Sequence, residues 1–192
     1  MSVDTVLQEP APVWPDAPRL CPSRSFPAYR YVSGLNPHPA RGSGGLDWGG
    51  LAFSGSLPTE RWRENEAYLY GIDLYHQGYL WESHEVWESL WRLLPRPDPQ
   101  ARLLQGLIRN SAAQIKAHAG SLRGVRAHST HACELLNSLR SSETLDGDGQ
   151  FMGLSITKLL SQMERHYGAV WRQEPAEVLV LEGPPPRLEP RP

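Results

Sequence analysis

Proline placement is the feature that most limits what this chain can fold into. The 18 prolines fall in residues 1–58, in the short run 95–99 and from residue 175 onward, whereas residues 59–94 and 100–174 contain none. Proline disrupts the interior of a helix because it lacks an amide hydrogen and clashes with the preceding turn. Long helices are therefore confined to the two proline-free blocks.

Apolar residues recur at helical spacing through both blocks, and this periodicity predicts four or five helices. The strongest start signal is Asp98 followed by Pro99, a capping residue and then a proline in the first helical position. No segment alternates between apolar and polar residues for long enough to build a sheet. We therefore predict an all-α fold, a compact bundle of four to five helices. The predicted helices span about 59–75, 79–94, 99–120, 121–139 and 151–171.

Composition outside the helical blocks predicts the organisation of the rest of the chain. Residues 1–25 are expected to be disordered, and residues 26–58 are expected to form an irregular extension that packs on the bundle. Residues 59–171 form the predicted helical domain. Residues 172–192, which end in GPPPRLEPRP, are expected to be a flexible proline-rich tail.

Charge and hydropathy exclude several classes of protein. The net charge of −2 provides no basic surface for nucleic acid. No run approaches the roughly 18 apolar residues of a membrane span, and the first 30 residues lack the apolar segment of a signal peptide. Cys21 and Cys133 form neither a disulfide framework nor a paired metal clip. The sequence predicts a soluble, cytoplasmic protein and leaves a homo-oligomer open.

The most unusual stretch is YLWESHEVWESLW, residues 79–91, with three tryptophans, three glutamates and one histidine. At about 100° per residue, one helix face carries Trp81, His84, Glu85, Glu88 and Trp91, with Glu82 at its flank. An ordinary amphipathic helix with a solvated polar face is one interpretation. Two tryptophans on that face favour the other, a central helix whose polar side chains line a cavity or a buried network.

The spacing within this stretch also suits a metal ion. His84 and Glu88 are four residues apart and project to one point of a helix, with Glu85 beside them. The pattern is HExxE, where a zinc protease has HExxH, so the second histidine is absent. Downstream, His128 and His131 are three apart and form another pair that faces one way.

Three runs carry a resemblance to a known family: GIDLYHQGYLWESHEVWESLW, LLQGLIRNSAAQIKAHAG and GVRAH. Together they resemble the bacterial and archaeal family named domain of unknown function 309, over roughly residues 62–136. The resemblance implies a compact all-helical fold and no established activity. Two positions depart from the family pattern: His76 stands where asparagine is usual, and Ser83 where alanine is usual. The matching polar positions are Glu82, His84, Glu85, Glu88, Gln105, Lys116 and His128.

The upstream run FPAYRYVSGLNPHPAR resembles an N-terminal extension found in a proteobacterial branch of that family. This resemblance implies that residues 37–39 form a structured loop. The family matches further imply a polar site between the second, third and fourth helices, closed by the His38 loop.

These observations predict a polar pocket for a divalent metal ion (zinc, manganese or iron) or a small polar ligand. In a hydrolytic version, His84, Glu88 and His128 hold the ion. Glu85 takes a proton, and Lys116 stabilises developing negative charge. The predicted lining residues are Trp81, Glu82, Gln105, His38 and Asp73.

Two alternatives stay open on the sequence alone, and with them the question whether the protein is an enzyme. The first is a non-catalytic helical module whose glutamate, histidine and lysine residues form a closed buried network. The second is a small-molecule sensor that binds an anion through Lys116 and Arg109.

Overall fold

The structure, a computed structural model, describes residues 9–38, 58–140, 145–146, 149–173 and 178–191. These residues form a helical bundle with one very short hairpin, which confirms the predicted all-α class. Consecutive helices pack against each other, so the second helix lies between the first and the third. The elements are a 3₁₀ helix Thr59–Glu64, α1 Glu66–His76, α2 Leu80–Trp91, α3 Pro99–His118, α4 Leu122–Leu139, β1 Gln150–Phe151, β2 Leu154–Ser155 and α5 Ile156–Arg172.

The first predicted helix, 59–75, is two elements in the structure. Asn65 interrupts it, because its backbone is non-helical (φ −81°, ψ 83°) and its side chain accepts a hydrogen bond from the Tyr68 amide. Asparagine in this position satisfies an amide that has no partner within the helix. The start of α3 is as predicted: Asp98 caps the helix through the Gln100 amide at 2.7 Å, and Pro99 is its first residue.

The contact between α1 and α2 depends on a glycine beneath a tryptophan. Trp87 is fully buried, and its indole nitrogen donates to the Tyr68 carbonyl at 3.1 Å. A β-carbon on Gly71 would lie only 2.2 Å from that indole nitrogen. The missing side chain at Gly71 therefore allows the two helices to approach around a large ring.

The N-terminal segment, residues 9–38, contacts α1 through a buried carboxylate. Asp73, which is 1% exposed, accepts hydrogen bonds from the Leu20 amide at 2.8 Å and the Cys21 amide at 2.9 Å. It also pairs with the Arg19 guanidinium at 3.0 Å. Three donors offset the cost of burying the charge.

Residues 178–191, which we call the C-terminal strap, lie against α1 and α5. Tyr75 donates its hydroxyl hydrogen to the Pro186 carbonyl at 3.0 Å, and His166 Nδ1 lies 3.1 Å from the Gly183 carbonyl. The Leu188 amide donates to His76 Nε2 at 3.2 Å, and the Leu188 side chain is buried. The strap is thus held at several points along its length.

A buried chain of hydrogen bonds connects Tyr75 with His166, the two residues that bind the strap carbonyls of Pro186 and Gly183. Asn110 donates to the Tyr75 hydroxyl at 3.1 Å and accepts from the Tyr167 hydroxyl at 2.9 Å. The Gln114 amide nitrogen contacts the Tyr167 hydroxyl at 2.7 Å and His166 Nε2 at 2.9 Å. Because that nitrogen is a donor, His166 accepts at Nε2 and carries its hydrogen on Nδ1, which donates to Gly183. Each of these five buried side chains thus has at least one hydrogen-bond partner, as buried polar groups require.

The division of the chain into segments 1–25, 26–58, 59–171 and 172–192 stays a prediction. Within the first of them, residues 9–25 make contacts with α1 that the sequence did not predict. Residues 1–8 and 39–57 lie outside the described residues. Across the described part of the chain, no helix combines the length and apolar character needed to cross a bilayer; the cytoplasmic compartment stays a prediction.

His76 makes the stability of the fold sensitive to acid. Burial lowers its pKa to about 4, and the positive charge of Arg187 lowers it further. The negative charges of Asp73, Glu189 and Asp16 act in the opposite direction but do not outweigh burial. In the unfolded chain this histidine has an ordinary pKa of about 6.5, so the unfolded state binds the proton first as the pH falls. The contribution of His76 to the free energy of unfolding should therefore fall as the pH falls from about 6.5 toward 4, whereas buried Glu82, whose pKa is raised to about 7, contributes with the opposite sign.

Urea unfolding at closely spaced pH values measures this loss. His76→Gln should flatten the decline between these pH values relative to the parent protein. His131→Gln replaces a half-buried histidine on α4 and should leave the decline in place. An unchanged decline in His76→Gln would contradict the assignment.

Candidate functional site

Helix α2 presents two different sides to the rest of the bundle. Val86, Trp87 and Leu90 are buried against neighbouring helices. His84, Glu85 and Glu88 lie on the other side and are half-buried. This distribution follows the helical spacing of the sequence, and it leaves three potential ligands partly accessible to water.

His84, Glu85 and Glu88 form a compact group, which we call the α2 cluster. One donor atom from each residue lies within 4.8 Å of the other two. His84 Nδ1 is 3.4 Å from Glu85 Oε1, and the neighbouring ring holds the pKa of the Glu85 carboxyl below its usual value. Glu88 Oε1 is 3.1 Å from the Arg92 guanidinium. Because the Arg92 side chain is 63% exposed, this ion pair contributes little to stability, and Glu88 can give up Arg92 for another cation at little cost.

A cavity of about 230 Å³ opens beside the α2 cluster, between α2, α3 and α4. His84 and Glu88 line it from α2, Gln105 and Arg109 from α3, and His128 from α4. Ile108 and Ala112 form an apolar part of the wall together with Trp91, whose ring stacks against the Arg96 guanidinium. The cavity therefore combines a few convergent polar groups with apolar walls, as small-ligand sites do.

Three aromatic rings cover the N-terminal end of α2. Tyr31 and His38 lie with their ring centres 4.9 Å and 5.2 Å from the Trp81 ring, and 5.1 Å from each other. His38 also helps to lower the pKa of the Glu85 carboxyl by its charge, so it lies near the α2 cluster. The predicted closing loop is described as far as His38, and Pro39 falls outside the described residues.

Of the predicted lining residues only Gln105 lines the cavity: Trp81 and His38 cover the N-terminal end of α2 instead, and three further predicted site residues also lie outside the lining. Glu82 is 1% exposed and accepts a hydrogen bond from the Tyr31 amide at 2.8 Å. Its Oε2 atom forms no hydrogen bond with a described residue, and burial raises the pKa of the carboxyl to about 7. Asp73 binds the N-terminal segment instead. Lys116 is exposed and is not among the residues that line the cavity; its alkyl chain lies beside Gly124.

Two further outcomes concern which residues come together. His128 lines the cavity as predicted for a pocket residue, but the group of potential ligands within 4.8 Å is completed by Glu85. Arg109 and Trp91 are lining residues that the predicted lining set omits. Arg109 follows Gln105 by four residues and therefore shares its face of α3; Trp91 follows Glu88 by three and shares its face of α2. This spacing is the sequence signal that indicates both residues.

Fold and site together define a helical bundle with a polar cavity and a potential metal-binding cluster on its second helix. Residues 68–127 match the family described as Domain of unknown function (DUF309). The match spans α1 to α3 and the first part of α4, and it includes the α2 cluster and Arg109. It begins after the N-terminal segment, so the likeness of that segment to a proteobacterial extension stays a prediction. No curated protein and no solved structure matches the chain.

Proposed function

We propose that the α2 cluster binds a divalent metal ion and that the adjoining cavity holds a small polar substrate for hydrolysis. The observation that carries this proposal is the convergence of His84, Glu85 and Glu88, with one donor atom each within 4.8 Å of the others. Nitrogen and carboxylate ligands bind such ions at about 2.0 to 2.2 Å, so two ligands of one ion lie at most about 4.4 Å apart. Small side-chain rotations are enough to bring the three atoms to that spacing.

The composition of the cluster limits the metal and its use. One imidazole and two carboxylates suit zinc, manganese or iron, which accept mixed nitrogen and oxygen ligands. Three protein ligands that are half-buried leave coordination positions for water or substrate, as in catalytic sites. A bound ion of this kind supplies an acidified water as the nucleophile. Arg109 and His128 line the same cavity, which supports a role for them in holding a negatively charged group of the substrate.

Exposure favours this proposal over a purely structural network. Residues of the α2 cluster are half-buried and Lys116 is exposed, so the predicted glutamate, histidine and lysine set is not enclosed. The fully buried hydrogen-bonded chain belongs to other residues, among them Asn110 and Gln114. Structural and ligand-binding polar groups therefore occupy different parts of the bundle.

Metal-dependent stabilisation tests the proposal. Chelator-treated protein without a histidine tag is titrated with zinc, manganese and iron(II), and thermal unfolding is followed together with metal content. An ion that binds only the folded state should add about 2.7 kcal/mol at a concentration of 100 times its dissociation constant. Glu88→Gln should lose most of this gain because it removes a charged ligand.

Glu134→Gln is the matched control, because Glu134 is an exposed glutamate on α4 away from the cavity. It should respond to metal as the parent does. A parent protein that gains no stability from any of the three ions, or an equal gain in Glu88→Gln, would refute the metal site.

A further inference from the structure

Arg109 is a cavity-lining cation that the ion pairs of the described residues leave without a carboxylate partner. Glu88 pairs with Arg92, and Glu85 lies against His84, so both carboxylates of the α2 cluster have partners. Arg109 lines the cavity and forms no ion pair with a carboxylate of any described residue. A half-buried guanidinium in this position favours a negatively charged occupant.

Hydrogen placement adds a second donor beside Arg109. Its NH1 atom lies 3.3 Å from His128 Nδ1, and a guanidinium is only a donor, so Nδ1 accepts and the ring is neutral. Burial and the adjacent Arg109 both lower the pKa of His128, in agreement with a neutral ring. The hydrogen of that ring is therefore on Nε2, which makes no hydrogen bond within the described part of the chain.

Gln105 contributes the third donor. It lines the same cavity one helical turn before Arg109, and its side-chain amide has no hydrogen-bond partner among the described residues. A guanidinium, a ring N–H and an amide thus converge on one cavity from α3 and α4. The apolar wall formed by Ile108, Ala112 and Trp91 lowers the local dielectric constant and strengthens the interaction of these donors with an anion.

We propose that this cavity binds a phosphate dianion, either inorganic phosphate or the phosphate group of a small monoester, through Arg109, His128 and Gln105. Arginine matches the paired oxygens of a phosphate through its planar fork of donors. The volume of about 230 Å³ lies below the roughly 300 to 1,000 Å³ of pockets for drug-sized molecules, so the occupant is small. The proposal names the substrate class of the proposed metal site and rests on it for the reaction, whereas the anion contacts belong to α3 and α4.

Calorimetric titration of the 192-residue protein tests the anion site. Inorganic phosphate, glycerol phosphate and acetate are titrated into chelator-treated protein and into metal-loaded protein. The parent should bind at least one of the two phosphate compounds more tightly than acetate. Arg109→Gln should weaken that binding at least about tenfold, because a charge-assisted contact is lost. Arg109→Lys keeps the positive charge without the planar fork of donors, so its phosphate affinity should lie between those of the parent and of Arg109→Gln.

Arg123→Gln is the control, because Arg123 is an exposed arginine on α4 and should leave phosphate affinity unchanged. Tighter glycerol phosphate supports a monoester as the ligand, and tighter inorganic phosphate supports the free ion. Equal affinity for acetate, no binding of either phosphate compound, or full affinity in Arg109→Gln would overturn the proposal. Phosphate binding that needs Arg109 without any metal binding would refute the metal site alone. Metal binding that needs Glu88 without phosphate binding would refute the anion site alone.

Discussion

Leu188→Ala should lower the free energy of unfolding by about 2 to 5 kcal/mol, the usual range for a leucine removed from a core. The residue lies in the C-terminal strap, which has no regular secondary structure, yet its side chain is 1% exposed. Alanine keeps the amide that donates to His76 Nε2, so the loss reports side-chain packing. Because small domains are stable by only about 5 to 15 kcal/mol, this is a large fraction of the total.

Val178→Ala provides the comparison within the same strap, because Val178 is 82% exposed. Its effect should stay within about 0.5 kcal/mol, as for surface substitutions in general. Urea unfolding of the two variants and the parent measures both values. Similar small effects at the two positions would show that the strap does not pack on the bundle in solution.

Gly71→Ala should destabilise the protein by about 3 kcal/mol, although alanine is the better helix former. The new methyl group would overlap the Trp87 indole, whose nitrogen lies 2.2 Å from the added carbon. Trp87 has little freedom to move, because it is fully buried and its nitrogen is bound to the Tyr68 carbonyl. The clash must therefore separate α1 from α2 or force the ring out of its rotamer.

Gly168→Ala is the matched control in α5. The atom nearest to its added carbon is the Arg172 guanidinium nitrogen at 3.1 Å, the free end of a flexible side chain. This variant should be neutral or gain up to about 1 kcal/mol from helix propensity. Equal denaturation midpoints for the two glycine variants would contradict the proposed packing of Trp87.

Features that depend on neighbours in the chain were predictable. The start of α3 follows from Asp98 and Pro99 alone, because the cap bonds to an amide two residues away. The convergence of His84 with Glu88 follows from the helix repeat in the same way. The position of Asn65 was equally local, but its effect as a cap competes with the continuous helical spacing around it.

Features that depend on distant segments were not predictable. Asp73 faces the amides of Leu20 and Cys21, more than 50 positions earlier, and nothing in its own helix indicates that partner. Lys116 lies on a helix whose rotation relative to α2 is set by packing, and that rotation leaves its charge in water. The cavity likewise exists only once three helices are assembled, so periodicity indicated some of its residues but not their common space.

The attachment of the strap to α1 has a consequence for synthesis on the ribosome. Tyr75 and His76 precede their partners Pro186 and Leu188 by 111 and 112 positions. At roughly 5 to 20 residues per second, the ribosome synthesises the strap on the order of ten seconds after α1. During that interval the apolar surface that Leu188 later covers is exposed on the nascent bundle. Chaperones that recognise apolar segments can bind this surface until the strap covers it.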